Sequence, residues 1–271
     1  MKLPRDRIRR HNLIGRELAT GAAMALAALL STAQPALAVV GGNPAEGAMR
    51  QSLVMVLAEG GAACSGVLVA PQVVLTAGHC LPRGRQIRVY APTPDAAPGS
   101  PHLIAPRASA VHPAYVPNAA GTRRRSVDLA LIQLPETLPA NYGPTTLASG
   151  EAPGAGEAVV VAGDGLAEEG KGSSSGKPRI ATLRVIEPYG RSTILLWAAP
   201  AEGVRAGACE GDSGGGMLNG GAALIAVIAF AEGAGNARCG KLTQGVLVAP
   251  QRAFIDATLA KWGAAARWTE R

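Results

Sequence analysis

The stretch that decides the fold is Cys64-Ser-Gly-Val-Leu-Val-Ala-Pro-Gln-Val-Val-Leu-Thr-Ala-Gly-His-Cys80. It contains two short apolar runs, at 66–69 and 73–76, and the Ala-Pro pair between them is typical of a hairpin turn. Similar runs, separated by glycine and proline, recur at 52–57, 129–134, 158–162, 224–228 and 245–248. Many short strands with turn residues between them predict an all-β sandwich or barrel.

The composition is that of a globular protein, since 48% of the 271 residues are hydrophobic and 17% are charged. Aromatic residues make up only 3%, which disfavours a stacking platform for single-stranded nucleic acid. One helix is predicted within 250–262, near the C-terminus, because Phe254, Ile255, Leu259 and Trp262 lie at helical spacing there.

Residues 1–38 have the layout of a secretory signal peptide: a basic start, the apolar run 21–30, and Ala-Leu-Ala at 36–38. The apolar run is short for a membrane span, although an uncleaved anchor is the alternative. The Arg9-Arg10 pair leaves Sec and twin-arginine export both open. This segment holds six basic and two acidic residues, so its removal lowers the formal net charge from +7 to +3. That surface indicates neither a nucleic-acid partner nor a membrane partner.

All four cysteines follow the predicted cleavage point, and an even number in an exported chain predicts two disulfides. Three pairings are possible, of which the sequence-local one, Cys64–Cys80 with Cys209–Cys239, closes two moderate loops. A zinc site is the alternative, but no Cys-x-x-Cys spacing supports it. No cofactor motif is present, and we expect no metal and no cofactor.

Three short motifs carry candidate chemistry: 75–80 with His79, 126–132 with Asp128, and 209–216 with Ser213. Taken alone, each has a structural interpretation, as a histidine beside a cysteine, an aspartate before a strand, and a glycine-rich turn. A serine hydroxyl needs a base within hydrogen-bond reach, and that base needs an orienting partner. The three motifs together, in the order His, Asp, Ser, are therefore much more specific.

With these motifs the chain resembles the chymotrypsin-like serine proteases, the trypsin family, over about residues 39–262. Supporting matches are Val39-Val-Gly-Gly42, the hairpin 64–76, His112-Pro-Ala-Tyr115 and the glycines of 162–165. On this resemblance we identify the chain as an exported, bacterial-type member, secreted or periplasmic. The resemblance implies two packed six-stranded antiparallel β-barrels with a C-terminal α-helix. Residues 39–150 would form the first barrel, and residues 151–271 would form the second with the terminal helix.

The resemblance also implies the role of each site residue. Ser213 attacks the peptide carbonyl to form an acyl-enzyme, His79 transfers the proton, and Asp128 orients the imidazole. The backbone N–H groups of Gly211 and Ser213 form the oxyanion hole. The Cys64–Cys80 bridge anchors the loop of His79, and Cys209–Cys239 joins two walls of the specificity pocket. Signal cleavage after Ala38 would free the Val39 ammonium to pair with Asp212, so that export itself activates the enzyme. The alternative is a second protease that trims the N-terminus.

Gly207, Ala231 and Gly245 match the positions that form the primary specificity pocket in this family. Glycine at 207 offers no charge to a cationic side chain, so we expect cleavage after neutral aliphatic or aromatic residues. Cleavage after Arg or Lys is the alternative, and Glu232 near the rim is the one feature that favours it. The expected partners are protein or peptide substrates and protein inhibitors.

Two other functions compete with the endopeptidase. The first is a catalytically silent relative that binds proteins through the same scaffold, although this chain keeps His79, Asp128 and Ser213. The second is a lipase or esterase, because Gly211-Asp-Ser-Gly-Gly215 fits Gly-x-Ser-x-Gly. That fold requires alternating strands and helices and the order Ser, Asp, His, and neither is present in this sequence.

Overall fold

Short hydrophobic strands build two sheets in the computed structural model, which describes residues 39–92, 102–122, 124–220 and 223–270. The predicted signal peptide, residues 1–38, lies outside the described residues. No helix within these ranges is long and apolar enough to span a bilayer. In chain order the strands are β1 (Asn43–Pro44), β2 (Leu53–Ala58), β3 (Ala62–Ala70), β4 (Val73–Thr76), β5 (Ile87–Tyr90), β6 (Leu103–Ile104), β7 (Ala108–Val111), β8 (Ala130–Gln133), β9 (Leu147–Ala148), β10 (Ala158–Gly163), β11 (Arg179–Ile186), β12 (Leu195–Ala199), β13 (Gly216–Leu218), β14 (Leu224–Glu232), β15 (Leu242–Leu247) and β16 (Trp268–Thr269).

The first sheet has the order β6-β5-β2-β3-β4-β8-β7, with every neighbouring pair antiparallel. The hairpin predicted at Ala70-Pro71 is confirmed, since β3 ends at Ala70 and β4 begins at Val73. Both strands are almost entirely buried, which explains why they read as continuous apolar runs rather than as alternating patterns.

The second sheet contains a closed ring of six strands. Its order is β13-β10-β11-β12-β15-β14, and an additional pairing of β14 with β13 closes the ring. Three two-residue strands extend it: β1 pairs with β11, and β9 pairs in parallel with both β14 and β16. The two β-barrel-like sheets expected from the resemblance are thus present, but the sheets hold seven and nine strands rather than six each. The difference comes from two-residue strands at their edges.

The C-terminal helix is confirmed at Arg252–Lys261, preceded by a 3₁₀ turn at Ala249–Gln251. Ile255 and Leu259 are buried in a core cluster that they share with residues of both sheets, such as Leu75 and Leu224. The ring of Phe254 packs edge-on against His112 at 4.6 Å. Two further short helices, Gly47–Ser52 and Ala119–Thr122, were not predicted from the sequence.

Candidate active site

The histidine motif and the aspartate motif meet because β4 and β8 are neighbours in the first sheet. Thr76 pairs with Ala130 at the ends of these strands, and His79 follows β4 in the 3₁₀ turn Gly78–Cys80. The backbone N–H of His79 donates to Asp128 Oδ1 at 2.8 Å, and Nδ1 lies 2.7 Å from Oδ2. Because a carboxylate can only accept, Nδ1 carries a hydrogen, and in the neutral imidazole Nε2 therefore keeps its lone pair.

Glycine at position 78 makes this close approach feasible. A Cβ at Gly78 would lie 3.0 Å from Asp128 Oδ1 and 3.1 Å from the ring of Tyr115. A larger residue would therefore push the carboxylate away from His79. Burial, with the nearby Asp128 charge, raises the pKa of the Tyr115 hydroxyl.

Ser213 approaches this pair from the second sheet. Its carbonyl oxygen accepts a hydrogen bond from the backbone N–H of Ser65 on β3 at 2.8 Å, and it lies 3.7 Å from Sγ of Cys80, the residue after His79. A Cβ at Gly214 would lie only 2.1 Å from both the Ser65 oxygen and Thr76 Oγ1. The loop of Ser213 thus packs directly against β3 and β4, and β4 is the strand that leads to His79.

The loop that bears Ser213 is anchored by the buried carboxylate of Asp212. Its Oδ1 accepts from Gly165 N and its Oδ2 from Cys209 N, both at 2.8 Å. Burial raises the pKa of Asp212 to about 7, although the two backbone hydrogen bonds oppose that shift. No Lys, Arg or His nitrogen of the described residues lies within 4.0 Å of this carboxylate.

The backbone N–H groups of Gly211 and Ser213 make no hydrogen bond to any other described residue. The orientation of the peptide that joins Gly211 to Asp212 is fixed by a hydrogen bond to its carbonyl oxygen, which Ser65 Oγ donates at 2.8 Å. Gly211 has φ +91, and a Cβ there would lie 2.8 Å from Gly165 Cα. Glycine is required at this position by both the backbone conformation and the close packing.

Both disulfides form, and their pairing is the sequence-local one. Cys64–Cys80 links β3 to the turn of His79, and Cys209–Cys239 links the loop of Ser213 to the segment that follows β14. Cys64, His79 and Cys80 are close enough to be considered as a group of metal ligands. The two sulfurs are bonded to each other, however, so that neither offers the thiolate that a metal needs.

The segment Val39–Gly42 packs against the loop that leads to Ser213. Val39 is fully buried, the Val40 carbonyl accepts from Gly207 N at 3.0 Å, and Val40 clusters with both cysteines of the second disulfide. The buried side chain of Arg179 donates from Nη2 to the Gly42 carbonyl at 2.9 Å. Val39 and Asp212 thus belong to neighbouring segments of the same barrel.

The three expected specificity residues lie near one another but do not line the large cleft beside His79. A Cβ at Gly207 would meet Thr243 Oγ1 at 2.9 Å, and one at Gly245 would meet Met217 Sδ at 2.7 Å. Ala231 pairs with Thr243 across β14 and β15. Neither glycine position leaves room for a larger side chain. Glu232 forms an ion pair with Lys241 at 2.9 Å, which weakens its attraction for a basic substrate residue.

A cleft of about 830 Å³ opens beside His79 and Asp128. Its lining includes Tyr115 and Ser126, which flank the Asp128 motif, and Tyr189, Trp197 and Phe230, which come from the second half of the chain. Arg124 and Arg125 also line it, although none of the sequence motifs indicated a role for them. Their signal was the run of three arginines that immediately precedes the Asp128 motif.

A second cavity, of about 390 Å³, is lined in part by the buried Asp164. Burial raises the pKa of Asp164 to about 7, and the positive charge of Arg50 opposes the shift. No sequence pattern indicates this burial, because an aspartate between two glycines is typical of an exposed turn.

Known proteins match this chain in both sequence and structure. Residues 39–249 match the family Trypsin. Kallikrein-15 of Homo sapiens and that of Saguinus oedipus are each 30% identical over 175 residues, which cover 58% of this chain and 67% of theirs. Since these relatives come from primates, they give no support to the bacterial-type assignment.

Two solved structures share the fold. Neuropsin, a serine protease expressed in the limbic system of mouse brain, superposes with a TM-score of 0.63 and 21% identity, over 81% of this chain and 99% of its own. Human heparin binding protein superposes with a TM-score of 0.65 and 24% identity, over 84% of this chain and 99% of its own. One neighbour is named for proteolysis and the other for binding, so the shared fold does not by itself assign an activity.

Proposed function

The chain belongs to the trypsin family of serine proteases, and from that premise we propose that it is a serine endopeptidase. Ser213 attacks the carbonyl of the scissile peptide bond, and His79 accepts the serine proton and then delivers it to the leaving amine. The resulting acyl-enzyme is hydrolysed by water, which His79 activates in the same way. No cofactor takes part in these steps, which need only the three side chains and the backbone donors.

The observation that carries this proposal is the double contact between Asp128 and His79. One oxygen of the carboxylate fixes the histidine backbone and the other fixes Nδ1. This arrangement holds the tautomer in which Nε2 can accept a proton from a hydroxyl. Asp128 would also stabilise the imidazolium that forms after proton transfer.

The N–H groups of Gly211 and Ser213 support an oxyanion hole in the same site. Both are free of protein partners among the described residues, and the peptide after Gly211 is fixed by Ser65 Oγ. Donors that are already oriented need no reorganisation when negative charge develops on the carbonyl oxygen. Each is expected to stabilise the transition state by about 3 kcal/mol.

Maturation by cleavage between Ala38 and Val39 completes the proposal. Val39 is a β-branched residue at φ 48, a conformation that its side chain strongly disfavours. A free N-terminus has no preceding carbonyl, so cleavage would remove this strain. It would also create an ammonium beside the buried segment that carries Asp212, whose carboxylate has no cationic partner within 4.0 Å among the described side chains.

Export is proposed on the same basis. The layout of residues 1–38 is that of a signal peptide, and disulfides such as Cys64–Cys80 and Cys209–Cys239 persist in oxidising compartments. At the cleavage site we propose a preference for neutral aliphatic or aromatic residues. Gly207 provides no carboxylate for a cationic side chain, and the carboxylate of Glu232 is already paired with Lys241.

A fluorophosphonate probe tests the catalytic proposal on purified, processed protein. We expect covalent labelling and peptide hydrolysis in the parent, and the loss of both in Ser213→Ala. Ser175→Ala, which removes a surface hydroxyl bonded only to Gly172 within its own loop, is the matched control and should keep both activities. Absence of labelling in the folded parent would instead favour a catalytically silent binding protein.

A further inference from the structure

The cleft beside His79 carries an excess of positive charge. Arg124, Arg125 and Arg191 line it, and Asp128 is the one carboxylate among its described lining residues. Both oxygens of Asp128 are engaged by His79. Asp128 can offset only one of the three arginine charges, so an excess of two positive charges remains among these lining residues.

The three arginines differ in how far they are already compensated. Arg191 donates to the Ala152 carbonyl at 2.9 Å and lies 3.5 Å from Glu151, whose side chain is 86% exposed. Such an exposed pair contributes little in water. Neither Arg124 nor Arg125 has a carboxylate within 4.0 Å in the part of the chain that the structure describes. These two exposed guanidinium groups are free to bind an anion.

Aromatic side chains line the same cleft. Trp197 is largely buried and meets the exposed ring of Tyr189 edge-on at 6.1 Å, while Phe230 is 44% exposed. Aromatic surface displaces water from part of a cleft and so strengthens the interactions of nearby charges. A substrate carboxylate that enters this cleft would meet the guanidinium groups of Arg124 and Arg125. A guanidinium group can pair with a carboxylate through two parallel hydrogen bonds.

We propose that this cleft selects polypeptide substrates that carry an acidic residue close to the scissile bond, with Arg124 and Arg125 as the principal specificity-determining residues. The inference rests on the proposed endopeptidase activity and names its substrate class. An acidic polypeptide fits better than an extended polyanion, which would need a strongly positive surface that extends well beyond this cleft. The net charge of the chain without residues 1–38 is only +3.

Matched peptides test the preference. Each pair keeps one neutral residue at the cleavage position and differs only by Glu or Gln at a single flanking position, which is varied on both sides of the scissile bond. At the best position we expect kcat/KM to be about 5- to 20-fold higher for Glu. The difference should lie mainly in KM, since the ion pair is the same in the ground state and the transition state. It should shrink in about 0.5 M NaCl, which screens exposed charges.

The double variant Arg124→Gln/Arg125→Gln should bring the Glu/Gln ratio close to 1, mainly by lowering kcat/KM for the Glu peptide. The matched control is Arg107→Gln/Arg184→Gln, which removes two positive charges from exposed side chains outside the cleft and should keep the preference. Both double variants change only surface side chains, so we expect both to fold.

A parent that hydrolyses the Gln peptides with a ratio near 1 would overturn this inference and leave the endopeptidase proposal intact. A ratio that persists in the Arg124/Arg125 double variant would overturn it as well. Inhibition by dextran sulfate that depends on these two arginines, without any Glu preference, would assign the cleft to a polyanion instead. A parent that hydrolyses no peptide and takes no fluorophosphonate would overturn both proposals together.

Discussion

Both oxygens of the Asp128 carboxylate are occupied by His79, one by the backbone N–H and one by Nδ1. The first bond fixes where the histidine lies, and the second fixes which nitrogen carries its proton. A residue at position 128 that still accepted the backbone N–H of His79 but donated to Nδ1 would leave the fold intact. It would nevertheless prevent His79 from acting as a base. Asparagine has the required shape, with one acceptor oxygen and one donor NH₂ group.

In Asp128→Asn the amide oxygen should accept the backbone N–H of His79, so that the NH₂ group faces Nδ1. Nδ1 must then act as an acceptor, and the proton moves to Nε2, where it blocks proton transfer from Ser213. We expect kcat to fall by about 10⁴-fold with little change in KM. Steady-state kinetics, with circular dichroism as the test of folding, check this result. A kcat within tenfold of the parent would show that Asp128 does not set the tautomer.

Among the elements, the contact between the Ser213 loop and the β3–β4 hairpin is what brings the two barrels together at the site. Gly214, at φ +85, lies where a Cβ would be 2.1 Å from both the Ser65 oxygen and Thr76 Oγ1. These are a backbone atom and a buried hydroxyl, so neither can move aside at low cost. The packing of this single glycine therefore controls the distance between Ser213 and the strand that leads to His79.

Gly214→Ala should destabilise the protein and also reduce its activity. We expect a loss of about 2–4 kcal/mol in the free energy of unfolding from the steric clash and the left-handed backbone together. Urea denaturation measures that loss. Gly172→Ala is the matched control, because a Cβ there meets nothing within 4 Å, and it should stay within about 0.5 kcal/mol of the parent. Equal stabilities for the two variants would contradict the packing argument.

Several long elements were predictable from the sequence because local patterns determine them, although β11 (Arg179–Ile186) was not among the runs identified. The β3–β4 hairpin and the C-terminal helix combine apolar periodicity with clear turn signals. The two-residue strands β1, β9 and β16 were not predictable, because residues such as Leu147 gain their strand conformation only from partners far along the chain. The same limit applies to the site, where motif order indicated His79, Asp128 and Ser213 but could not indicate that Ser65 would fix the Gly211 peptide.

At the scale of the whole molecule, two acidic groups are buried near the junction between the barrels. Asp164 and Asp212 are both almost fully buried, and burial raises the pKa of each to about 7. They lie close enough for the charge of Asp164 to add to the shift of Asp212. Ser65 Oγ joins the two segments, because it accepts from Asp164 N and donates to the Gly211 carbonyl. Sequence patterns could not reveal this pair, since burial depends on the packed barrels.

A raised folded-state pKa means that the folded protein holds these protons at pH values where the unfolded chain has lost them. The stability that each group contributes is therefore complete below the unfolded value of 3.8 and is lost as pH rises through about 7. Asp164→Asn mimics the protonated carboxyl and does not titrate. The free energy of unfolding of the parent should thus fall relative to that of Asp164→Asn by about 1.4 kcal/mol per pH unit from about pH 4.5 to 6.5, and the difference should level off above about pH 7.

Urea denaturation across this range, with Ser213→Ala in both proteins to prevent self-digestion, measures the difference directly. A difference that is constant with pH would show that Asp164 is solvated in the folded protein.

Cleavage before Val39 should change the pH dependence of stability in the same measurement, because a nearby ammonium favours ionised Asp212 and lowers its pKa. The chain that retains residues 1–38 should therefore lose more stability between about pH 5 and 7 than the chain that begins at Val39. Mass spectrometry establishes which N-terminus each sample carries, and identical pH profiles for the two chains would mean that the Val39 ammonium does not reach Asp212.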